Sequence, residues 1–266
     1  MKKIFDFHVH AQYAHKSIHT DIPYIQKCGI QKMLLIGDVL GLGYNCSEDE
    51  IMRINDHNFD IVNAHPELCF GFGFLNPLLS ATFLHSEIDR CVKSGALGIK
   101  LEVSTLASDK RVWPIMEQLK ERGMPLIHHT WNTRVIGRNT IKDCFQTDAE
   151  DIAVLAQAFP DVKIIAAHLR GNGIRGIIEL KKYENVFFDT SGGQPMRGIL
   201  EYAVKKIGAH RILYGSDAYF PDGRDFPSQI SAVEAAEIKD SEKEDIFWNN
   251  AVGLLKVSTN RQGSGV

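Results

Sequence analysis

The chain reads as one (β/α)8 barrel, a TIM barrel, and three observations predict it. Eight short apolar runs alternate with helical patterns along the 266 residues. Their starts recur about every 30 residues, the size of one βα unit. Most runs are apolar almost throughout, as in parallel strands buried on both faces. Eight alternating units favour closure of a parallel sheet into a barrel. An open doubly wound sheet would want a Gly-rich phosphate turn after its first strand. Here the first strand ends in His-Val-His-Ala-Gln instead.

The predicted strands, in order, are KIFDFHVH (3–10), KMLLIGDV (32–39), CFGFGFLN (69–76), ALGIKLE (96–102), PLIHHT (125–130), VKIIAAH (162–168), NVFFDTS (185–191) and RILYGSD (211–217). Helical patterns fill 21–28, 47–67, 81–94, 112–122, 148–159, 173–184, 196–207 and 228–240, with a closing helix near 242–256. Gly29, Gly95, Gly123 and Gly208 stand where four of these helices should stop. Residues 1–257 are expected to form one domain, and STNRQGSGV (258–266) reads as a polar tail.

Composition narrows the function classes. A formal charge of −3 lacks the basic excess of a nucleic-acid binder. No run of about 18 apolar residues is present to span a membrane. Asp6, His8 and His10 interrupt the stretch where a signal peptide needs an unbroken apolar segment, so a cytoplasmic location is expected. Cys28, Cys46, Cys69, Cys91 and Cys144 are dispersed, contain no C-x-x-C pair and fit buried thiols in a reducing compartment.

Catalytic groups of such barrels sit at the C-terminal ends of the strands. Titratable residues gather there: His8 and His10 on strand 1, Lys100 and Glu102 on strand 4, His128 and His129 on strand 5, His168 on strand 6, Asp189 on strand 7 and Asp217 on strand 8. His8 and His10, two apart on a strand, point to the same side and can share one ion. With His129 and Asp217 they make three imidazoles and a carboxylate. That set suits Zn²⁺ or another late divalent metal such as Mn or Fe, with an open position for water.

With these residues in place, the chain resembles the amidohydrolase superfamily, in particular the amidohydrolase-related (amidohydrolase 2 type) metal-dependent hydrolases. FDFHVHA, GIKLE, MPLIHHTW, IIAAHLRG and LYGSDAYF match in order, as does IFWNNAVGLL in the closing helix. The resemblance implies that His8, His10, His129 and Asp217 hold the metal and that Asp217 is also the base. It implies that His168 either polarises the substrate carbonyl or, with Lys100, takes a second ion. One ion is favoured, because an uncarboxylated Lys100 would repel a metal. His128 should point away from the site.

Substrate recognition is expected from Arg170, Trp131 and Tyr219, with Arg134, Arg197 and Arg224 as further loop candidates. An Arg can grip a carboxylate bidentately. The leading expectation is hydrolysis of a C–N or C–O bond of a small, anionic molecule by metal-activated water. Decarboxylation of an unsaturated or aromatic acid, phosphoester hydrolysis and a catalytically lapsed barrel are the alternatives. The expected partner is a small-molecule substrate, and a homo-oligomer is allowed by the apolar helices.

Overall fold

The computed structural model describes residues 2–11, 22–37, 45–132, 145–193, 196–219 and 226–257. Strand β1 (Ile4–Ala11) is buried along its whole length and forms the axis on which the site is built. It is followed by α1 (Ile22–Lys27), β2 (Ile30–Gly37), α2 (Glu48–Ala64), β3 (Cys69–Leu75), α3 (Ala81–Lys93), β4 (Ala96–Leu101), α4 (Trp113–Arg122) and β5 (Leu126–His128). The second half contains α5 (Ala149–Ala158), β6 (Ile164–Ala166), α6 (Leu169–Leu180), β7 (Val186–Asp189), α7 (Ile199–Ile207), β8 (Ile212–Leu213), β9 (Ala218–Tyr219) and α8 (Phe226–Ala235). Helices α9 (Asp240–Glu244) and α10 (Asn250–Leu255) flank a π-helical turn at Asp245–Asn249.

All pairings are parallel, and the strands run β8-β7-β6-β5-β4-β3-β2-β1-β9 across one sheet. The ends of this sheet are two halves of one interrupted strand: β8 pairs with β7, and β9 pairs with β1. Between them Phe7 donates to the Tyr214 carbonyl at 2.8 Å, and Asp217 N–H donates to the His8 carbonyl at 2.8 Å. The curled sheet therefore meets itself, as predicted for a TIM barrel. The eighth strand was expected to be continuous over 211–217. It breaks because Asp217 adopts a positive φ of 58° and the Ser216 N–H turns to Asp6 Oδ1 at 2.9 Å.

Two apolar layers explain the nearly unbroken hydrophobicity of the strands. Phe5, Phe7, Phe70, Phe72, Ile127 and Ile165 belong to an inner cluster that Trp248 and Leu255 of the closing segment cover. Phe5 lies 5.4 Å from Phe70 and 6.1 Å from Trp248 between ring centroids, so that segment plugs the end where the strands begin. Val9, Leu35, Ile99, Leu126, Ile164 and Phe188 face the helices in an outer cluster. Burial of each such side chain contributes about 1.5–3 kcal/mol relative to exposure. Plugging the far end leaves the C-terminal ends of the strands as the open face.

Helix boundaries follow local chemistry. Ser47 caps α2 in a reciprocal box with Glu50, satisfying two orphan N–H groups. Gly29, Gly95, Gly123 and Gly208 all have positive φ, as helix stops require. Strand β2 begins two residues earlier than expected, directly after the Gly29 turn. Helix α6 begins at Leu169 rather than at 173, because His168 (φ 68°) turns the chain straight from strand into helix. The pattern restarted at 173 because Gly173 (φ 63°, ψ −169°) interrupts the helix there.

Candidate active site

Alternation along the strands sends Lys100 and Glu102 of β4 and its edge inward, together with His129 beyond β5 and Asp189 at the end of β7. On β1 the same alternation turns His8 and His10, two residues apart, into the barrel mouth. His168 and Asp217 reach it through left-handed backbone, one of φ 68° and the other of φ 58°. Such conformations cost a non-glycine residue on the order of 1–3 kcal/mol and cluster at functional sites.

The centre is a triangle of donor atoms. His8 Nε2 and His10 Nε2 are 3.2 Å apart, His10 Nε2 is 3.5 Å from Asp217 Oδ1, and His8 Nε2 is 3.7 Å from the same oxygen. An ion bound tetrahedrally at about 2.1 Å holds its ligands about 3.4 Å apart. The three residues thus have the spacing of three vertices around one divalent cation, and they form a group able to hold a metal. Proton placement agrees. His10 Nδ1 faces the Gly37 carbonyl at 3.3 Å and His8 Nδ1 faces Asp189 Oδ2 at 2.8 Å, and neither oxygen can donate. Both Nε2 atoms then carry lone pairs turned toward one another, with Lys100 Nζ 3.3 Å from that of His8, an arrangement that a cation satisfies.

The remaining predicted residues surround this triangle. His168 Nδ1 is 3.7 Å from Asp217 Oδ2, and its Nε2 is 3.1 Å from His129 Nδ1. His129 also lies 3.4 Å from Glu102 Oε2 and 3.1 Å from Gln146 Oε1. It stands beside the triangle, next to His168, rather than at a fourth vertex. Lys100 Nζ is 3.0 Å from Glu102 Oε1 and 3.3 Å from His8 Nε2, with its side chain fully buried. His128 takes no part: it is fully buried, its Nδ1 donates to the His129 carbonyl at 2.8 Å, and its partner on β4 is Leu101.

Burial sets the charge state of the imidazoles. Desolvation pushes His8 below its ordinary pKa, helped by the Lys100 charge, and pushes His129 down despite Glu102. His168 goes well below for the same reason. Neutral imidazoles are the form a metal needs. Burial would raise Asp217, but His168, His10 and His8 around it hold the carboxyl well below the usual range.

Two aromatic candidates pack on imidazoles of the site. Tyr219 lies parallel to His10 with centroids 4.5 Å apart, and Trp131 stacks over His129 at 6.4 Å. Trp131 fits there because residue 171 is Gly: a Cβ would meet its ring at 2.5 Å. Arg170 follows His168 by two residues. Together with Arg197, Leu169, Thr190, Met196 and Gln229 it lines a cavity of about 400 Å³ between α6, α7 and α8. Gly192, whose added Cβ would come within 2.6 Å of His168, is followed by Gly193, whose added Cβ would come within 2.7 Å of Arg170 Nη1. Arg134 and Arg224 fall outside the described residues, as do Cys144, the segment carrying His15 and His19, and the tail 258–266.

Sequence reasoning gave no role to two groups that touch the site, Asp189 and Gln146. Asp189 had the one readable signal, a carboxylate at a strand end.

Comparison with known proteins places the chain. It resembles the 2,6-dihydroxybenzoate decarboxylase of Rhizobium at 18% identity and a TM-score of 0.77, covering 96% of this chain and 99% of that one. A dihydroxybenzoic acid decarboxylase of Polaromonas, solved with manganese and 2-nitroresorcinol, aligns at 18% identity and TM-score 0.72 over 96% and 97%. A Pseudomonas putida structure with a proposed 2-pyrone-4,6-dicarboxylic acid hydrolase activity aligns at 17% and 0.70 over 97% and 98%. At these identities the likeness establishes the fold. No curated protein matches the chain. The model of the family described as Amidohydrolase matches residues 42–257, a stretch that contains Lys100, His129, His168 and Asp217 and follows the strand-1 pair. The chain belongs to the amidohydrolase family of enzymes.

Proposed function

We propose that this enzyme hydrolyses a C–N or C–O bond of a small, carboxylate-bearing molecule, with one divalent ion held by His8, His10 and Asp217. The observation that carries the reading is the division of labour in Asp217: Oδ1 faces His8 and His10, while Oδ2 faces His168 at 3.7 Å. One carboxylate can therefore hold the ion and receive a proton. When bound, the ion supplies Lewis acidity that polarises a carbonyl and acidifies water. Asp217 accepts the proton as the water oxygen adds to the substrate carbonyl carbon, and returns it to the departing nitrogen or oxygen as that bond breaks. The ionised state of Asp217 suits this role. His168, kept neutral by burial and hydrogen-bonded through Nδ1 to Ser191, packs beside Asp217 and turns its Nε2 toward His129. Lys100 paired with Glu102 argues for a single ion, since a carboxylated Lys100 would place an anion against Glu102. Zn is the first candidate, with Mn close behind because the Polaromonas neighbour holds it. A reducing, cytoplasmic setting accords with the free thiols of Cys28, Cys46, Cys69 and Cys91.

A second reading, non-oxidative decarboxylation of an aromatic acid, is favoured by the decarboxylase names of the Rhizobium and Polaromonas neighbours. A panel of lactones, amides and hydroxybenzoates, assayed for ring opening, amine release and CO2 release with Zn²⁺ or Mn²⁺, separates the two. Hydrolysis that disappears in Asp217→Asn with retained fold is the expected result. CO2 release as the only activity would replace it with the second reading.

A further inference from the structure

Asp189 does more than end a strand. Its side chain is fully buried, and its two oxygens have different partners. Oδ2 faces His8 Nδ1 at 2.8 Å. Oδ1 accepts the backbone N–H of His168 at 3.0 Å, the N–H of Ser191 at 3.1 Å and the Ser191 hydroxyl. Ser191 Oγ in turn lies 2.8 Å from His168 Nδ1 and 3.4 Å from His8 Nδ1.

The protons follow from counting donors. An ionised carboxylate only accepts, so His8 Nδ1 carries the proton and its Nε2 is bare. Ser191 has a single proton, given to Asp189, so its oxygen can only accept from His168 Nδ1–H. His168 Nε2 is then bare as well, facing His129 Nδ1 at 3.1 Å. We propose that Asp189 is a positioning residue that sets the tautomers of two active-site imidazoles at once, His8 directly and His168 through the Ser191 hydroxyl. The same carboxylate pins the left-handed backbone of His168 through its N–H. Carboxylates of this kind behind a ligating imidazole are worth about 10–100-fold in metal affinity.

Asp189→Asn gives a sharp test because its orientation is forced. Three donors converge on the Oδ1 position, so the amide oxygen stays there and the NH2 group faces His8 Nδ1. His8 must then accept at Nδ1 and carry its proton on Nε2, where the ion would bind. Ser191→Ala removes the link to His168 and leaves the direct contact of Asp189 Oδ2 with His8 Nδ1 in place.

The inference rests on the metal-site reading above, and its first measurement needs no metal. Histidine ¹⁵N–¹H correlation spectra of the metal-free protein should show His8 and His168 as Nδ1–H tautomers in the wild type. Ser191→Ala should change His168 alone, and Asp189→Asn should switch His8 to Nε2–H. Titration with Mn²⁺ followed by EPR should then show at least tenfold weaker binding in Asp189→Asn and less than threefold change in Ser191→Ala. Unchanged tautomers in Ser191→Ala would overturn the relay even if Asp189→Asn fails to fold. Wild-type Mn²⁺ affinity in a folded Asp189→Asn protein would overturn the role at His8. If wild-type protein shows the assigned tautomers but binds no ion, the metal reading fails while the tautomer assignment stands.

Discussion

The Lys100–Glu102 pair allows a test whose sign is informative. Both side chains are buried, at 0% and 6% exposure, and Nζ lies 3.0 Å from Oε1. Replacing Glu102 by Gln leaves a buried ammonium without its counter-charge. At an effective dielectric of about 20, two unit charges at this separation interact by about 5 kcal/mol. Breaking a buried pair from one side costs roughly 3–5 kcal/mol. For a chain of this size that lowers Tm by roughly 10 °C. Thermal unfolding followed by circular dichroism at pH 7 reads the change directly. The double variant Lys100→Met/Glu102→Gln should recover most of the loss, because the orphaned charge is gone.

The pH dependence has a fixed sign. Burial alone would raise Glu102, but Lys100, His129 and His10 outweigh it and bring the carboxyl down from 4.5 to about 2. A depressed carboxyl stabilises the fold fully above its unfolded pKa, and that contribution disappears as pH falls from about 4.5 through about 2. The acid limb of wild-type stability over this window should flatten in Glu102→Gln. If Lys100 were carboxylated, the neighbour of Glu102 would be an anion and the Gln variant would gain stability. A Tm that is unchanged or raised would refute the ammonium–carboxylate pairing and, with it, the preference for one ion.

Two further outcomes follow from packing. Gly171→Ala drives a methyl to 2.5 Å from the Trp131 ring, so the indole must leave its place over His129. A stability loss of about 1–3 kcal/mol and an altered near-UV circular dichroism spectrum are expected; an unchanged spectrum and Tm would show that the ring is not held there. Burial pushes the Cys69 thiol up to about 12, with Glu67 adding to the effect. At pH 8 its thiolate fraction is on the order of 10⁻⁴. Peptide mapping after treatment of the native protein with a disulfide reagent should find Cys69 unmodified until urea is added, and rapid native labelling would contradict its burial.

Much of the fold was legible because its signals are local. Apolar runs recurring at βα spacing reveal parallel strands, and Gly29, Gly95, Gly123 and Gly208 mark helix ends because a left-handed stop favours glycine. The site was partly legible for a related reason. Barrel chemistry gathers at strand ends, so His8, His10, His168 and Asp217 could be picked out before any geometry was known. The spacing of two residues on one strand already brought His8 and His10 together, and their Nε2 atoms lie 3.2 Å apart.

What tertiary structure alone decided is the pairing of residues far apart in the chain. Asp189 reaches His8 across 181 positions, and Ser191 reaches His168 because the Gly192 turn passes within contact of that imidazole. Arg170 trails His168 by two residues, yet the start of α6 carries it to the cavity between the helices. The breaks at His168 and Asp217 leave no mark in the residue pattern, because the left-handed turns are held by hydrogen bonds that their N–H groups donate to Asp189 and to the His8 carbonyl rather than by glycine. Sequence determined which chemical groups stand at the open end of the barrel, since periodicity is a property of neighbours along the chain. Closure of the barrel decided which of them touch and where each proton sits, since those depend on distances that no local pattern encodes.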